Sequence, residues 1–110
     1  MTAASDAMGD RLRPLLARKG LVEKKMFGGL GFMLDGNMVI GTTAKGELLV
    51  RVDPDKIDAP LSKPGAYQMH MGPRPMTGFI AVGEAGTPDD AALKDWIAFA
   101  MKYVKTLPAK

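Results

Sequence analysis

The sequence predicts an α+β fold: an antiparallel meander of about five strands, flanked by an N-terminal and a C-terminal helix. Three observations lead to this prediction. Apolar residues recur at helical spacing near both ends of the chain, whereas short strand-like runs separated by tight-turn sequences fill the middle. The chain has 110 residues, which is the length of one domain, so residues 1–110 are expected to fold as a single unit.

The first helix is predicted over residues 5–19, with Ser5 or Asp6 as its cap. Gly20 ends it. Its apolar stripe follows helical spacing and consists of Met8, Leu12, Leu15 and Leu16. Pro14 lies inside this segment, and an interior proline removes one backbone hydrogen bond. We therefore expect a bend at Pro14 or a helix that starts later.

Three strand-like runs follow, at residues 25–34, 38–43 and 47–52. The tripeptides Asp35-Gly36-Asn37 and Ala44-Lys45-Gly46 separate them, and both are suited to tight turns between antiparallel strands. The runs therefore predict an antiparallel meander.

Side-chain alternation predicts the faces of this sheet, although the register of the first hairpin stays open. In the third run, one face carries Leu48, Val50 and Val52, and the other carries Glu47, Leu49 and Arg51. A three-residue loop in the first hairpin places Gly31 opposite Gly41. The same loop aligns on one face Leu30, Phe32 and Leu34 with Met38 and Ile40.

The second half of the chain is predicted to hold a short helix, two more strands and a final helix. Asp53-Pro54 places a capping carboxylate before a proline, which favours a short helix or turn. Residues 67–69 and 78–82 are the remaining strands, joined by an irregular loop at residues 70–77. Residues 83–86 form a turn.

The final helix has both a start signal and an apolar stripe. In Thr87-Pro88-Asp89-Asp90, the threonine is expected to cap the helix, the proline to take its first position and the acids its first turn. Lys102 and Lys105 lie where the negative end of the helix dipole favours cations. The stripe consists of Leu93, Trp96, Ile97, Ala100, Met101 and Val104.

The composition excludes several classes of protein. The chain has no cysteine, so disulfides, thiolate catalysis and cysteine-ligated zinc are excluded. The first residues, MTAASDAMGD, do not resemble a secretory signal, and no apolar run reaches the length of about 20 residues that spans a bilayer. We therefore expect a soluble, cytoplasmic protein without a membrane partner. Its net charge of +3 is only mildly basic.

Three glycines interrupt the strand-like run K-M-F-G-G-L-G-F-M-L at residues 25–34. No phosphate-binding pattern fits, since no Gly-Lys-Ser/Thr follows and the dinucleotide pattern requires a glycine where Leu34 stands. We interpret Gly28, Gly29 and Gly31 as structural glycines that form a bulge, bend one long strand and allow close backbone packing. No cofactor is expected.

One polar cluster is a candidate ligand site. If the strands pair as predicted, four residues suited to bind a small anion or a partner's carboxylate converge: Arg51, Tyr67, His70 and Arg74. His70 is the only histidine, and a general base needs a partner and a pocket that the sequence does not show. No catalytic residue is therefore assigned, and the cluster is interpreted as a binding site at most.

The remaining polar motifs favour structural roles. Asp53, Asp55 and Asp58 have ligand-like spacing but fit helix capping better, so no metal site is predicted. The basic residues near the N-terminus are Arg11, Arg13, Arg18, Lys19, Lys24 and Lys25. They are suited to weak, salt-sensitive contact with nucleic acid, and we name Arg11, Arg13, Lys24 and Lys25 as its candidates. Interleaved aromatic residues are absent there, which favours a solvated helix face instead.

The sequence contains an ordered set of short motifs. It begins with Lys25-Met26-Phe27-Gly28-Gly29, Gly31-Phe32 and Asp35-Gly36-Asn37-Met38. It continues with Leu49-Val50-Arg51-Val52 and with Gly72-x-Arg74-Pro75-Met76-x-Gly78-Phe79. It ends with Trp96-Ile97 and Tyr103-Val104-x-x-Leu107-Pro108. In this order the motifs resemble the N-terminal domain of the TfoX/Sxy family of bacterial competence regulators, and the resemblance spans nearly the whole chain.

The resemblance implies a non-enzymatic protein-interaction domain in transcription control, with an antiparallel sheet and helices at both chain ends. Family members act as positive regulators of DNA-uptake genes, together with the cyclic-AMP receptor protein, so a partner in the transcription machinery is expected. They also carry a helical C-terminal domain, and this chain is expected to stand without it. A ligand-binding or enzymatic pocket at the polar cluster is the first alternative, and direct DNA binding is the second. The exposed sheet edge leaves a homodimer open.

Overall fold

The computed structural model describes residues 3–17, 20–26 and 28–109 and shows an α+β fold. Its helices are α1 (Ala3–Leu16), α2 (Asp58–Leu61) and α3 (Asp90–Val104), with single 3₁₀ turns at Pro54–Lys56 and Glu84–Gly86. Its strands are β1 (Val22–Met26), β2 (Gly29–Leu34), β3 (Asn37–Thr42), β4 (Leu48–Arg51), β5 (Ala66–Met71) and β6 (Arg74–Val82). They form one antiparallel sheet in the order β1-β2-β3-β4-β6-β5. The predicted fold class is confirmed, with six strands in place of about five.

The extra strand comes from the glycine-rich segment, where the prediction of one bent strand is wrong. Residues 25–34 divide between β1 and β2, which form a hairpin with Met26 paired to Gly29. Gly28 turns the chain there, with a φ of +77° that L side chains rarely adopt. A Cβ on Gly29 would lie 2.2 Å from the carbonyl oxygen of Thr42, so close backbone packing excludes a side chain. Phe27 lies outside the described residues.

The β2–β3 hairpin confirms the predicted pairing of Gly31 with Gly41. Its turn is one residue shorter than predicted, because Asp35 and Gly36 both have positive φ and Asn37 already belongs to β3. The ladder is irregular between Phe32 and Met33, so the bulge lies beyond the three glycines and not at them.

A second hairpin replaces the irregular loop that was predicted at residues 70–77. His70 pairs with Pro75 and Met71 pairs with Arg74, so β5 and β6 extend almost to a tight turn at Gly72. Pro75 is tolerated because β4 pairs with β6 only from Phe79 onward, which leaves the other edge of β6 unpaired at that point. β6 lies between β4 and β5, so the sheet is not a simple meander.

The hydrophobic core forms where α1 and α3 pack on the sheet. Both helices contact β3, and they also contact each other. Leu12 of α1 and Leu93 of α3 are fully buried, as are Leu48, Val50 and Val52, the three residues predicted to share one face of the third run, and all five belong to one core cluster. These contacts fix the positions of the two helices relative to the sheet.

α1 begins at Ala3, so the expectation of a late start is wrong. The helix continues past Pro14 to Leu16. Because a proline has no N–H, the carbonyl of Asp10 receives no helical hydrogen bond from position 14. Only Leu15 and Leu16 follow Pro14 in the helix, so the missing hydrogen bond affects only the last turn. Arg18 and Lys19 lie outside the described residues.

α3 carries the predicted apolar stripe, but its cap is Asp89 and not Thr87. The Asp89 carboxylate accepts a hydrogen bond from the amide of Ala92 at 2.9 Å. Thr87 is buried one residue before Pro88, and Arg11 of α1 donates to its carbonyl oxygen at 3.1 Å. Trp96 donates from its indole nitrogen to the carbonyl of Gly86 at 3.1 Å, which anchors the first half of the helix. No helix in the described part of the chain has the length and apolar character to cross a membrane.

Candidate functional site

The structure places the four residues of the predicted ligand cluster at three separate points of the sheet. Tyr67 on β5 donates from its hydroxyl to the carboxylate of Glu47. Partial burial of the hydroxyl, together with this hydrogen bond, raises the pKa of Tyr67 to about 12. Tyr67 therefore has an internal partner and stays neutral at physiological pH.

Arg51 lies at the end of β4, between two aromatic rings. Its guanidinium carbon is 5.0 Å from the ring centre of Phe79 and 5.9 Å from that of Tyr103. Its Nε is buried and has no hydrogen-bond partner among the described residues. Stacking on the two rings thus holds the guanidinium of Arg51, while its Nε–H makes no hydrogen bond to a described residue.

His70 and Arg74 lie in the exposed β5–β6 hairpin. His70 pairs with Pro75, which is four residues from the partner of Arg51 on β6, or about 13 Å along the strand. His70 and Arg74 are neighbours in the hairpin, but this register places their side chains on opposite faces, and neither is gathered with Arg51 or Tyr67. Ligand binding by these four residues stays a prediction.

Arg11 and Arg13, two of the basic residues near the N-terminus, make contacts within the protein. Arg13 forms ion pairs with Asp10 at 2.5 Å and with Glu23 of β1 at 2.8 Å. The hydrogen bond from Arg13 lowers the pKa of Glu23, and the same bond raises the pKa of Arg13. Arg11 holds the carbonyl of Thr87, so both side chains tie α1 to its neighbours.

Lys24 and Lys25 are exposed on β1, which is an edge strand. Charged side chains on an edge strand discourage pairing with another chain. Nucleic-acid contact by Arg11, Arg13, Lys24 and Lys25 stays a prediction, and the structure commits the two arginines to internal contacts.

A groove beside α3 brings together residues that the sequence did not single out as a site. It has a volume of about 650 Å³ and is lined by one residue of α1, five of α3 and Lys105, which caps the C-terminal end of α3. Its apolar floor consists of Leu15, Ile97 and Met101, and its rim carries Lys94, Lys102 and Lys105, with Ala98 between them. We call this feature the α3 groove.

The lysines of the α3 groove are all exposed and form no ion pair with any described carboxylate. The acids of α3 lie elsewhere: Asp90 is in the first turn, and Asp95 lines a smaller cavity next to Trp96. The helix therefore presents one face of unmatched positive charge over an apolar floor.

Two other cavities are lined by charged residues of both signs. One of about 510 Å³ lies beside α1, where Arg11 and Lys45 face Glu47 and Glu84, so charges of both signs line it. Another, of about 380 Å³, shares Lys102 with the α3 groove and is lined by Asp53 among others. Within the described part of the chain, no group of three or more histidine, aspartate or glutamate side chains is arranged to hold a metal ion.

Sequence reasoning assigned Lys102 and Lys105 only to the helix dipole and overlooked Lys94. A signal was present, because Lys94, Ala98, Lys102 and Lys105 follow one another at helical spacing and share one face of α3. The apolar floor needs Leu15, which is distant in sequence and enters only through the packing of α1.

Comparison with known proteins gives one match. A family model described as the TfoX N-terminal domain matches residues 12–103, from the last five residues of α1 almost to the end of α3. No curated protein and no solved structure matches the chain.

Proposed function

The chain belongs to the TfoX N-terminal domain family, and from this premise we propose that it is a non-enzymatic protein-interaction domain acting in transcription control. The observation that carries the proposal is the family match over residues 12–103, which includes the whole sheet, nearly all of α3 and the last five residues of α1. Competence regulation is the specific role that the family resemblance supports.

The proposed partner is a protein of the bacterial transcription machinery, with the cyclic-AMP receptor protein as the first candidate. Contact with nucleic acid is then indirect and passes through that partner, in the cytoplasm. The α3 groove supports a binding role, because exposed lysines around an apolar floor are features of a surface that receives another molecule.

Affinity capture tests this proposal. The tagged full chain is crosslinked in a bacterial lysate, and the captured proteins are measured by mass spectrometry against the tag alone. We expect enrichment of the cyclic-AMP receptor protein or of RNA polymerase subunits. Capture of no transcription component, from a preparation that binds a small metabolite, would contradict the proposal.

The unused Nε of Arg51 favours a second candidate, which is the binding of a small anion or carboxylate at that stacked guanidinium. A ligand that binds the native state raises the unfolding temperature. A panel of carboxylates and phosphates is therefore screened by thermal shift with the wild type, with Arg51→Ala and, as a control distant from the stacked guanidinium, with Arg74→Ala. An identical stabilisation of the wild type and Arg51→Ala would remove Arg51 from the site.

A further inference from the structure

We propose that the α3 groove is the docking site for an acidic, amphipathic helical segment of the protein partner. This inference rests on the proposed function and names the surface that would carry it. It also specifies the chemistry of the bound segment: apolar side chains facing the floor, and carboxylates beside the three lysines.

The floor of the groove favours an apolar contact. Ile97 is almost completely buried, while Leu15 and Met101 are only partly buried and keep apolar surface at the groove. The unbranched, polarizable side chain of Met101 adapts its shape to an incoming residue. Covering such surface with a leucine or phenylalanine of a partner removes it from water, which is the main favourable term in association.

The rim favours negative charge arranged along a helix. Lys94 and Lys102 are separated by eight residues, which is about 12 Å along the axis of α3 at the rise of an α-helix. Lys105 lies less than one further turn away. Carboxylates repeating every turn or two along one side of a partner helix match this spacing. Because the lysines are exposed, their main contributions are to the association rate and to specificity.

An acidic protein segment fits the groove better than nucleic acid does. A phosphate backbone uses positive charge but gains nothing from an apolar floor, and three lysines neutralise few phosphates. The described residues that line the groove also include no arginine, the side chain suited to bidentate phosphate contacts. A second copy of this chain that packed groove to groove about a two-fold axis would bring the same lysines together, where like charges repel.

The probe for the test is a fluorescein-labelled peptide of about four helical turns. It has leucines along one face and glutamates on both flanks, and a second peptide replaces every glutamate with glutamine. Fluorescence anisotropy measures binding of both peptides to the full chain. We expect saturable binding of the acidic peptide that weakens with added salt, and weaker binding of the glutamine peptide.

The main variant carries Lys94→Glu, Lys102→Glu and Lys105→Glu. Its matched control carries Lys24→Glu, Lys25→Glu and Lys45→Glu, which change the net charge equally at exposed positions outside the groove. We expect affinity for the acidic peptide to fall at least about tenfold in the groove variant, corresponding to 1.4 kcal/mol. The control should lose far less. If the groove variant does not fold, the same three lysines are changed to glutamine.

The other substitution for this test is Ala98→Trp, which fills the groove without changing its charge and should also weaken binding. Equal losses in the groove and control variants would overturn the proposal, since they would show a response to net charge alone. Undiminished binding in the groove variants would overturn it too. So would a DNA duplex that binds more tightly than the peptide through the same lysines, or self-association that depends on them.

The capture experiment separates this inference from the proposed function. If the groove variant still captures transcription components, the groove is not the docking site and the proposed function stands. If the wild type captures none, the proposed function fails, whichever peptide result is obtained.

Discussion

Two regions of this protein carry positive charge, and the structure uses them differently. In the N-terminal region, Arg13 is paired with Asp10 and Glu23, and Arg11 holds the carbonyl of Thr87. On α3, the lysines of the groove stand at the edge of an apolar floor without a described carboxylate partner. In the first region Arg11 and Arg13 hold α1 in place, whereas the lysines of the second region are exposed to solvent.

This difference shows that a cluster of charges in the sequence is not the same as a charged surface. Neighbouring positions in α1 point in different directions, so Arg11 and Arg13 meet different neighbours. Positions along α3 that are several residues apart point in the same direction, and they form a continuous face. The spacing of charged residues along a helix therefore predicts a shared surface better than their number in a short stretch of sequence does.

The largest expected effect concerns the attachment of α3, on which the groove depends. Leu93 is fully buried in the core, so Leu93→Ala should lower the free energy of unfolding by about 2–5 kcal/mol. Urea denaturation followed by circular dichroism measures the change. Leu93→Met is the control, with an expected loss under about 1.5 kcal/mol because it conserves volume. A loss of a few tenths of a kcal/mol from the alanine variant would mean that α3 is not anchored as described.

A smaller effect should follow from removing the cap of α3. Asp89→Ala deletes the carboxylate that accepts from Ala92, and such a deletion costs about 0.5–2 kcal/mol. Asp89→Asn keeps a side-chain oxygen at the same position and should cost much less in the same unfolding assay. Equal losses in the two variants would show that the cap hydrogen bond is not the cause.

The smallest effect should come from the N-terminal ion pair. Arg13 and Glu23 are both exposed, so Glu23→Gln should lower the free energy of unfolding by only about 0.2–1 kcal/mol at neutral pH and low salt. Because folding lowers the pKa of Glu23, its contribution is present above the carboxyl's ordinary pKa. That contribution disappears as the pH falls through the folded-state value.

Urea midpoints of the wild type and Glu23→Gln, measured from neutral to acidic pH, test whether the stabilisation by Glu23 is lost as the pH falls. The two curves should converge in acid, and high salt should narrow their difference at neutral pH. A difference that stays constant down to acidic pH would mean that the carboxylate charge of Glu23 does not stabilise the fold.

Much of the fold was predictable because its signals are local. The stripe of α3 and the alternation of Leu48, Val50 and Val52 depend only on periodicity, and both are confirmed. The glycine-rich segment was misread because a glycine in a bulge and a glycine in a turn look alike in sequence. Only the pairing of Met26 with Gly29 distinguishes them. The length of β6 was underestimated because Pro75 discourages a strand assignment unless the neighbouring edge is known to be unpaired.

The candidate site was less predictable because tertiary contacts decide it. The hydroxyl of Tyr67 is suited to bind a ligand. In the fold, however, it donates a hydrogen bond to Glu47, which lies twenty residues earlier in the chain. The lysine face of α3 was visible in the spacing, whereas the groove exists only because Leu15 of α1 lies next to Ile97 and Met101. No local pattern contains that contact.

The most direct test of the contrast between the two regions is a nuclear magnetic resonance titration of the ¹⁵N-labelled full chain with the acidic amphipathic peptide. The account predicts that amide shifts concentrate at Ala98, Met101 and Lys102, while those of Lys24 and Lys25 change little. Shifts concentrated on β1 and the first half of α1, with α3 unaffected, would contradict it.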